Sequence, residues 1–335
     1  MARVTVQAIA DQLGLSKFAV SRALSGHPGV SEATRASVVE LAERLGYVPR
    51  ARSVARRTVE IIYHDPDVMH RELWTEIQAG AQIEGTQRNV STAVRWTDDP
   101  QVIGQLARSA DAFLLLGPHE DAILTAVRNS GRPGVRIGGP LPPLDTMDQV
   151  SGADEEGAAA VALHLLELGH RRFAFVHGKA GFPGRAVRLE SFAARLDEVP
   201  GTQLREIPLS DDNAPGEFGQ ALKQLHRQGF RPTAFFCGND YVAVTVLTEL
   251  MRMGCRVPQD ASVVGYADYV VTQHTSPALT TVRVPYRQMG AVAINLLLAR
   301  LGSTGVMHGL PPQRIDLVPT LIARGSSGPA PSPDE

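Results

Sequence analysis

The stretch SKFAVSRALSGHPGVS, residues 16–31, gathers Lys17, Phe18, Ser21 and Arg22 at the start of a short helical pattern. Two cations and a large aromatic at a helix start suit the major groove of DNA. Arg22 can form a bidentate pair with guanine, worth ~1–3 kcal/mol of discrimination, and Phe18 can rest on a thymine methyl. Other roles stay open. Phe18 can fold back onto a neighbouring helix as core, and Lys17 can hold a phosphate or stand solvated.

Three helices are needed to present those side chains. In the first, Val6, Ile9, Ala10 and Leu13 recur at spacings of three and four, one face of a 3.6-residue repeat. Gly14 is placed to end it, and Ser16 to cap the second helix, which runs to about Leu24. Two short helices joined by Gly14-Leu15-Ser16 carry a helix-turn-helix signature, in which the start of the second helix enters the groove. A third helix opens at Ser31, buries Val38, Leu41, Ala42 and Leu45, and stops at Gly46.

Charge separates this head from the rest of the chain. Residues 1–58 carry nine Arg/Lys and four acids, a balance of +5 in a chain whose net charge is −2, so the remainder stands at −7. A basic head on an acidic body points to a polyanionic partner for the head alone. The apolar runs are too short for a transmembrane helix, and the N-terminus lacks a secretory pattern. Two cysteines in apolar surroundings, Cys237 and Cys255, fit reduced thiols and a cytoplasmic protein.

VTVQAIADQLGLSKFAVSRALSGHPGVSEATRASVVELAERLGYVP, residues 4–49, resembles the DNA-binding headpiece of the lactose-repressor (LacI/GalR) family. The resemblance implies a dimer on a pseudo-palindromic double-stranded operator, with Thr5, Ser16, Ser31, Thr34 and Tyr47 holding phosphates. Ser25 stands where the family commonly has Asn. Residues 49–58, PRARSVARRT, match the family hinge, in which a leucine wedges into the minor groove; here the apolar residue is Val54. Arg50, Arg52, Arg56 and Arg57 around it are expected on phosphates or in a narrow groove. Off DNA, the same segment reads equally as a disordered basic linker.

From Val59, short β-rich runs alternate with helical stretches: VEIIY 59–63, AFLLL 112–116, GVRIG 134–138, FAFVH 173–177, LREIP 204–208, TAFFC 233–237 and SVVGY 262–266. Their continuous apolar character suits strands buried on both faces of parallel sheets. About 265 residues are too many for one such sheet, so two lobes are expected, with strand ends facing one cleft. The fold class is therefore an α/β body of two lobes behind a small all-α helix-turn-helix domain. The family resemblance extends to about residue 324 through HLLELGHRRFAFVHG, AFFCGNDYVAV, VPQDASVVGYADY and SPALTTVRVPYRQMG. It implies a type I periplasmic-binding-protein-like effector domain. The expected divisions are a headpiece at 1–48, a hinge at 49–58, an N-lobe at 59–152 and 284–312, and a C-lobe at 153–283 and 313–324. The Gly/Ser/Pro-rich residues 325–335 are expected to be disordered.

By the same resemblance Arg188, Asn239 and Asp268 line the cleft as polar contacts to an effector, and Trp74 and Tyr286 offer aromatic faces. A guanidinium fork suits hydroxyls or a carboxylate. Arg188 as an interlobe ion pair and Trp74 as lobe core are the competing roles. Ala267 replaces the first acid of the family's GYDD, and Gly139-Pro140 stand where some sugar-responsive relatives carry an acid. The expected effector is a sugar or sugar derivative, with a nucleobase acting as corepressor the alternative. No cofactor and no metal is expected: no Walker A loop and no G-x-S-x-G elbow occurs, and His164, His170 and His177 lack a shared face. His64 and His70 lie near the expected cleft. A transporter's solute-binding protein would need a leader instead of a basic head, and a sugar-metabolising enzyme a paired acid and base. The reading is a DNA-binding transcriptional regulator, expected to repress, with no membrane partner.

Overall fold

A computed structural model of the chain describes residues 4–24, 29–47, 56–65, 72–178, 183–302 and 310–332. The hinge residues Arg50, Arg52 and Val54, together with Ser25 and His70, lie outside the described residues. The chain divides into two units, residues 1–56 and 57–335.

In the first unit α1 spans Val6–Leu13, α2 Lys17–Leu24 and α3 Glu32–Arg44. The local signals place all three. Thr5 and Ser31 cap α1 and α3 by accepting from the amides of Ala8 and Thr34, and Ser16 accepts from Ala19 at the start of α2. Gly14 takes the left-handed conformation, φ 63°, that ends α1 without a Cβ penalty. Ile9, Ala10, Val20, Ala23, Val38, Leu41 and Ala42 close a small core.

The second unit is two parallel sheets flanked by helices. Its elements are β1 (Arg57–Tyr63), α4 (Glu72–Gln87), β2 (Val90–Trp96), α5 (Pro100–Leu106), β3 (Ala112–Leu116), α6 (Asp121–Asn129), β4 (Gly134–Ile137), β5 (Asp148–Gly152), α7 (Asp154–Glu167) and β6 (Arg172–His177). There follow α8 (Pro183–Asp197), β7 (Gln203–Pro208), α9 (Pro215–Arg227), β8 (Ala234–Cys237), α10 (Asp240–Arg252), β9 (Ser262–Val264), β10 (Thr281–Arg283), α11 (Tyr286–Leu301), β11 (Arg314–Leu317) and β12 (Thr320–Ile322). The N-lobe sheet has the order β11-β5-β4-β3-β1-β2 and the C-lobe sheet β7-β6-β8-β9, while β10 and β12 pair antiparallel. The apolar strands β3 and β8 are buried along their whole length, as expected for sheets covered on both faces.

Two boundaries differ from expectation. β1 begins at Arg57, inside the segment expected as linker, because Arg57 and Thr58 already pair with Val90 and Ser91 of β2. Residues 313–324 do not form one C-lobe piece: β11 pairs in parallel with β5 and completes the N-lobe sheet, so the last crossing comes after Leu317. Its Arg-Ile-Asp-Leu sequence is half-exposed edge strand and gives no apolar run.

The expectation of a disordered tail fails from Gly325 to Ser332. Ser326 is fully buried; its hydroxyl donates to the Val263 carbonyl at 2.6 Å and accepts from the Thr280 amide at 2.8 Å. The Ala330 amide donates to Leu168 O at 2.8 Å, and His170 contacts Thr233, Ser262 and the Gly328 carbonyl. Small residues and proline weaken local structure, but here they let the backbone lie close against the C-lobe and use its free polar groups. His164 and His177 have separate partners: His164 meets Ser327 at 2.9 Å and His177 meets Glu206 at 2.6 Å.

Helices α4 and α11 cross in backbone contact. A Cβ on Gly80 would lie 1.9 Å from the Arg287 carbonyl oxygen, and one on Gly290 would lie 2.0 Å from that of Ile77. This crossing fixes Trp74 and Tyr286, at the starts of the two helices, relative to each other.

Two outcomes test the docked tail. Ser326→Ala strands a buried amide and a buried carbonyl and is expected to lower stability by ~1–3 kcal/mol in urea titration. Burial pushes His170 down to about 4. An unfolded histidine titrates near ~6.5, so between ~6.5 and that folded value the unfolded chain takes up a proton that the folded chain refuses. Stability contributed by His170 therefore falls on acidification through this window, by ~1.4 kcal/mol per pH unit. His170→Gln is expected to flatten the pH dependence of the urea midpoint between about pH 6.5 and 4.5.

Candidate functional site

On α2, Lys17 and Ser21 are four residues apart, as are Phe18 and Arg22, so both pairs share the exposed side of one short helix. Phe18 is 70% exposed, so it is not headpiece core. The Arg22 guanidinium lies 5.3 Å from its ring centroid. An exposed phenylalanine braced by an arginine is a presented surface. In the same unit the helix starts are capped by Thr5, Ser16 and Ser31. Each of these hydroxyls already accepts from a backbone amide. A capping hydroxyl keeps its own proton to donate, and a helix start favours an anion, so the pattern suits phosphate. The Ser31 and Thr34 hydroxyls are 2.7 Å apart, and Tyr47 packs partly against the small core.

In the body, the strand ends of the two lobes face a cleft of about 720 Å³. The N-lobe contributes Leu73, Trp74, Pro118, Gly138, Ser151, Tyr286 and Met289; the C-lobe contributes Asp154, Arg185, Arg188, Asp212, Asn239, Tyr241, Tyr266 and Tyr269. Such a volume, mostly apolar with a few placed polar groups, is ordinary for a small-molecule site.

Four of the five expected effector residues line it. Trp74 is both core and wall: it is 4% exposed, its ring lies against Gly138, and its Nε1 is buried without a hydrogen-bond partner. Gly138 has φ +99°, and a Cβ there would come within 2.2 Å of the indole, so only glycine fits. Tyr286 stacks on Tyr269, centroids 6.5 Å apart, and burial pushes its phenol far above the usual range. Asn239 caps α10 by accepting from Val242 N at 2.9 Å and donates to Asp212 at 2.7 Å.

Arg188 is not an interlobe tie. It pairs within the C-lobe with Asp154 at 3.1 Å and lies 4.3 Å over the Tyr266 ring, while its Nε is buried without a partner. Desolvation pulls its pKa down, but Asp154 and the surrounding phenols more than offset this and leave it raised.

Asp268 does not line this cleft, contrary to expectation. Its carboxylate is bound by Arg283 at 2.7 Å and Arg324 at 2.6 Å and accepts from Thr272 at 3.1 Å. Burial would raise its pKa, but the two arginines hold it below the usual carboxylate range. Three protein donors meet it, away from the cleft lining.

Reading the sequence alone missed Asp154, Arg185, Asp212, Tyr241, Tyr266 and Tyr269. Arg185 donates to both Asp212 oxygens at 2.7 Å. One signal was available: Arg185 precedes Arg188 by three residues, one helical turn, on the same side of α8. Asp212 gave none, since SDDN reads as an ordinary turn. His64 sits in the N-lobe wall region, its ring 6.2 Å from Trp74 and 5.9 Å from His119.

Residues 5–50 match the family model described as bacterial regulatory proteins, lacI family, and residues 162–327 match a periplasmic binding protein-like domain. The chain is 30% identical over 347 residues to the HTH-type transcriptional regulator reg1 of Streptomyces lividans, covering 96% of each. The chain belongs to the lacI family of bacterial regulatory proteins. It is a helix-turn-helix, DNA-binding transcriptional regulator. The regulator CelR of Thermobifida fusca is 29% identical, over 97% of this chain and 98% of that protein. Among solved structures, a CelR–cellobiose complex superposes with a TM-score of 0.68 at 27% identity, covering 97% of this chain and all of that one. A lac repressor dimer on its operator shares the fold at 21% identity, with a TM-score of 0.68 and coverage of 98% and 100%. These lacI-family relatives are named as regulators rather than enzymes, and no helix among the described residues is long and apolar enough to cross a membrane.

Asn239→Ala removes the cap of α10 and one of the donors to Asp212. It is expected to cost about 1 kcal/mol for the cap and a further ~1.5–3 kcal/mol for the lost bond to a charged acceptor, read as a lower midpoint in denaturant.

Proposed function

We propose that the protein is a homodimeric cytoplasmic repressor of the lacI family. In this reading it binds a pseudo-palindromic operator and is controlled by a sugar or sugar derivative held between the lobes. The observation that carries the reading is a cleft with three buried, unpartnered donors, Trp74 Nε1 on one lobe and Arg188 Nε and the Tyr266 hydroxyl on the other. Buried donors without partners are rare in folded proteins, and a bound acceptor satisfies them. A sugar brings oxygen acceptors and an apolar CH face, for which Trp74 and the tyrosines supply surfaces. That CelR has been solved with cellobiose supports the same chemistry.

Control follows from linkage. An effector that draws the lobes together favours one arrangement of the paired N-lobes, and the two headpieces gain or lose the spacing of their half-sites. Whatever factor the effector imposes on operator affinity, the operator imposes on effector affinity. Phe18, Arg22, Lys17 and Ser21 read bases in this scheme. Thr5, Ser16, Ser31, Thr34 and Tyr47 hold the backbone, and Arg50, Arg52 and Val54 engage the centre of the site.

Selection of bound duplexes from a random pool, with ligand-free protein, is expected to return a two-fold symmetric site. On that site log affinity falls with log salt by about 0.9 per phosphate neutralised. Phe18→Ala is expected to relax preference at one base pair in each half-site, by ~1–3 kcal/mol, with an unchanged salt slope. A random pool both without ligand and in the presence of sugars and nucleobases would exclude specific operator binding.

A further inference from the structure

We infer that the cleft selects uncharged, polyhydroxylated ligands over their anionic counterparts, and that Asp212 and Asp154 impose the selection. The inference rests on the reading of this cleft as the effector site and adds the charge class of what it takes.

The cleft contains two guanidiniums and four carboxylates, those of Glu72, Asp154, Asp211 and Asp212. Arginine in such a place ordinarily invites a carboxylate or phosphate. Here both arginines already have one from the protein. Arg185, 7% exposed, directs one terminal nitrogen at both oxygens of Asp212, each at 2.7 Å. Arg188 holds Asp154 at 3.1 Å. An anion entering between them must displace an internal carboxylate or add its charge beside it, and like charges in a closed, partly desolvated site repel strongly.

The carboxylates are themselves hydrogen-bonded within the protein. Glu72 accepts from the Val270 amide at 2.9 Å, Asp211 from Asn213 N at 3.0 Å, and Asp212 from Asn239 as well as Arg185. What remains unsatisfied is neutral in character: the Trp74 indole N–H, the Tyr266 hydroxyl, and an Arg188 N–H whose charge is already matched. These donors call for hydroxyl or ring oxygens. Asp212 and Asp154, with side chains 23% and 25% exposed, keep lone pairs that can accept from ligand hydroxyls.

The test titrates the full-length protein, by calorimetry and by tryptophan fluorescence, with matched pairs. These are cellobiose and cellobionate, glucose and glucose 6-phosphate, ribose and ribose 5-phosphate, uracil and orotate. In any pair that binds, the neutral member is expected to bind at least about tenfold more tightly. Asp212→Asn releases Arg185, and Asp154→Asn releases Arg188. Each is expected to narrow the gap to about threefold or less, by tightening the anion rather than weakening the neutral compound. The variants lie on different segments, so if one does not fold the other decides the outcome. An anion that binds the unmodified protein as well as its neutral partner overturns the inference. So does a gap that neither variant moves, or silence from every pair. Binding of uracil with no response to any sugar rejects the sugar reading instead, and the orotate comparison then judges charge selection by itself.

Discussion

The two lobes depend on one buried carboxylate. Asp268 lies just after β9, Arg283 ends β10 just before the chain crosses to α11, and Arg324 lies after β12, where the chain has crossed back. One side chain thus ties two of the segments that pass between lobes. The backbone is committed to the same end: Asp268 sits at φ 59°, in the left-handed region that Asp tolerates better than most residues. Of the two arginines, Arg324 is the better shielded at 15% exposure and carries more of the tie than Arg283, whose 56% exposure lets solvent screen its charge. The geometry of the cleft depends on where these crossings are held.

Next to this tie stands Asp240, the first residue of α10, fully buried and raised to about 7, chiefly by desolvation. It accepts from the Tyr269 amide at 2.8 Å and the Thr281 hydroxyl at 2.5 Å. Tyr269 is thereby fixed from behind, and it in turn backs Tyr286 on the N-lobe helix α11. Asp268 holds the crossings and Asp240 holds the aromatic wall, so the acids of GYADY and GND serve the frame of the cleft. Arg188, Trp74 and the Arg185–Asp212–Asn239 chain line the cleft instead. Asn239 belongs to both, since its oxygen caps α10 while its amide steadies Asp212.

The sequence by itself determined the headpiece. Caps at Thr5, Ser16 and Ser31, the stop at Gly14 and the apolar spacing of α1 to α3 act within four residues of chain, so they read the same before and after folding. It determined the central strands as well, because β3, β4, β6 and β8 must be apolar on both faces. It did not reveal β2, β5 or β11, whose edge or polar character leaves no apolar run; they become strands only by pairing with neighbours already in place. Arg188 and Trp74 could be named from the motifs around them.

Only the tertiary structure decided the partners. Arg188 and Asp154 are 34 residues apart, Arg185 and Asp212 are 27 apart, and Asp268 and Arg324 are 56 apart. Whether a carboxylate meets a ligand or an arginine depends on which strand ends the sheet order brings together, and no local rule sets that order. The tail shows the same limit from the other side. Gly, Ser and Pro predict disorder because they form no structure among themselves, yet Ser326 and Gly328 find donors and acceptors on β9 and its neighbours. Local pattern fixes what a segment can do alone; burial and charge pairing across the fold fix what it does in the molecule.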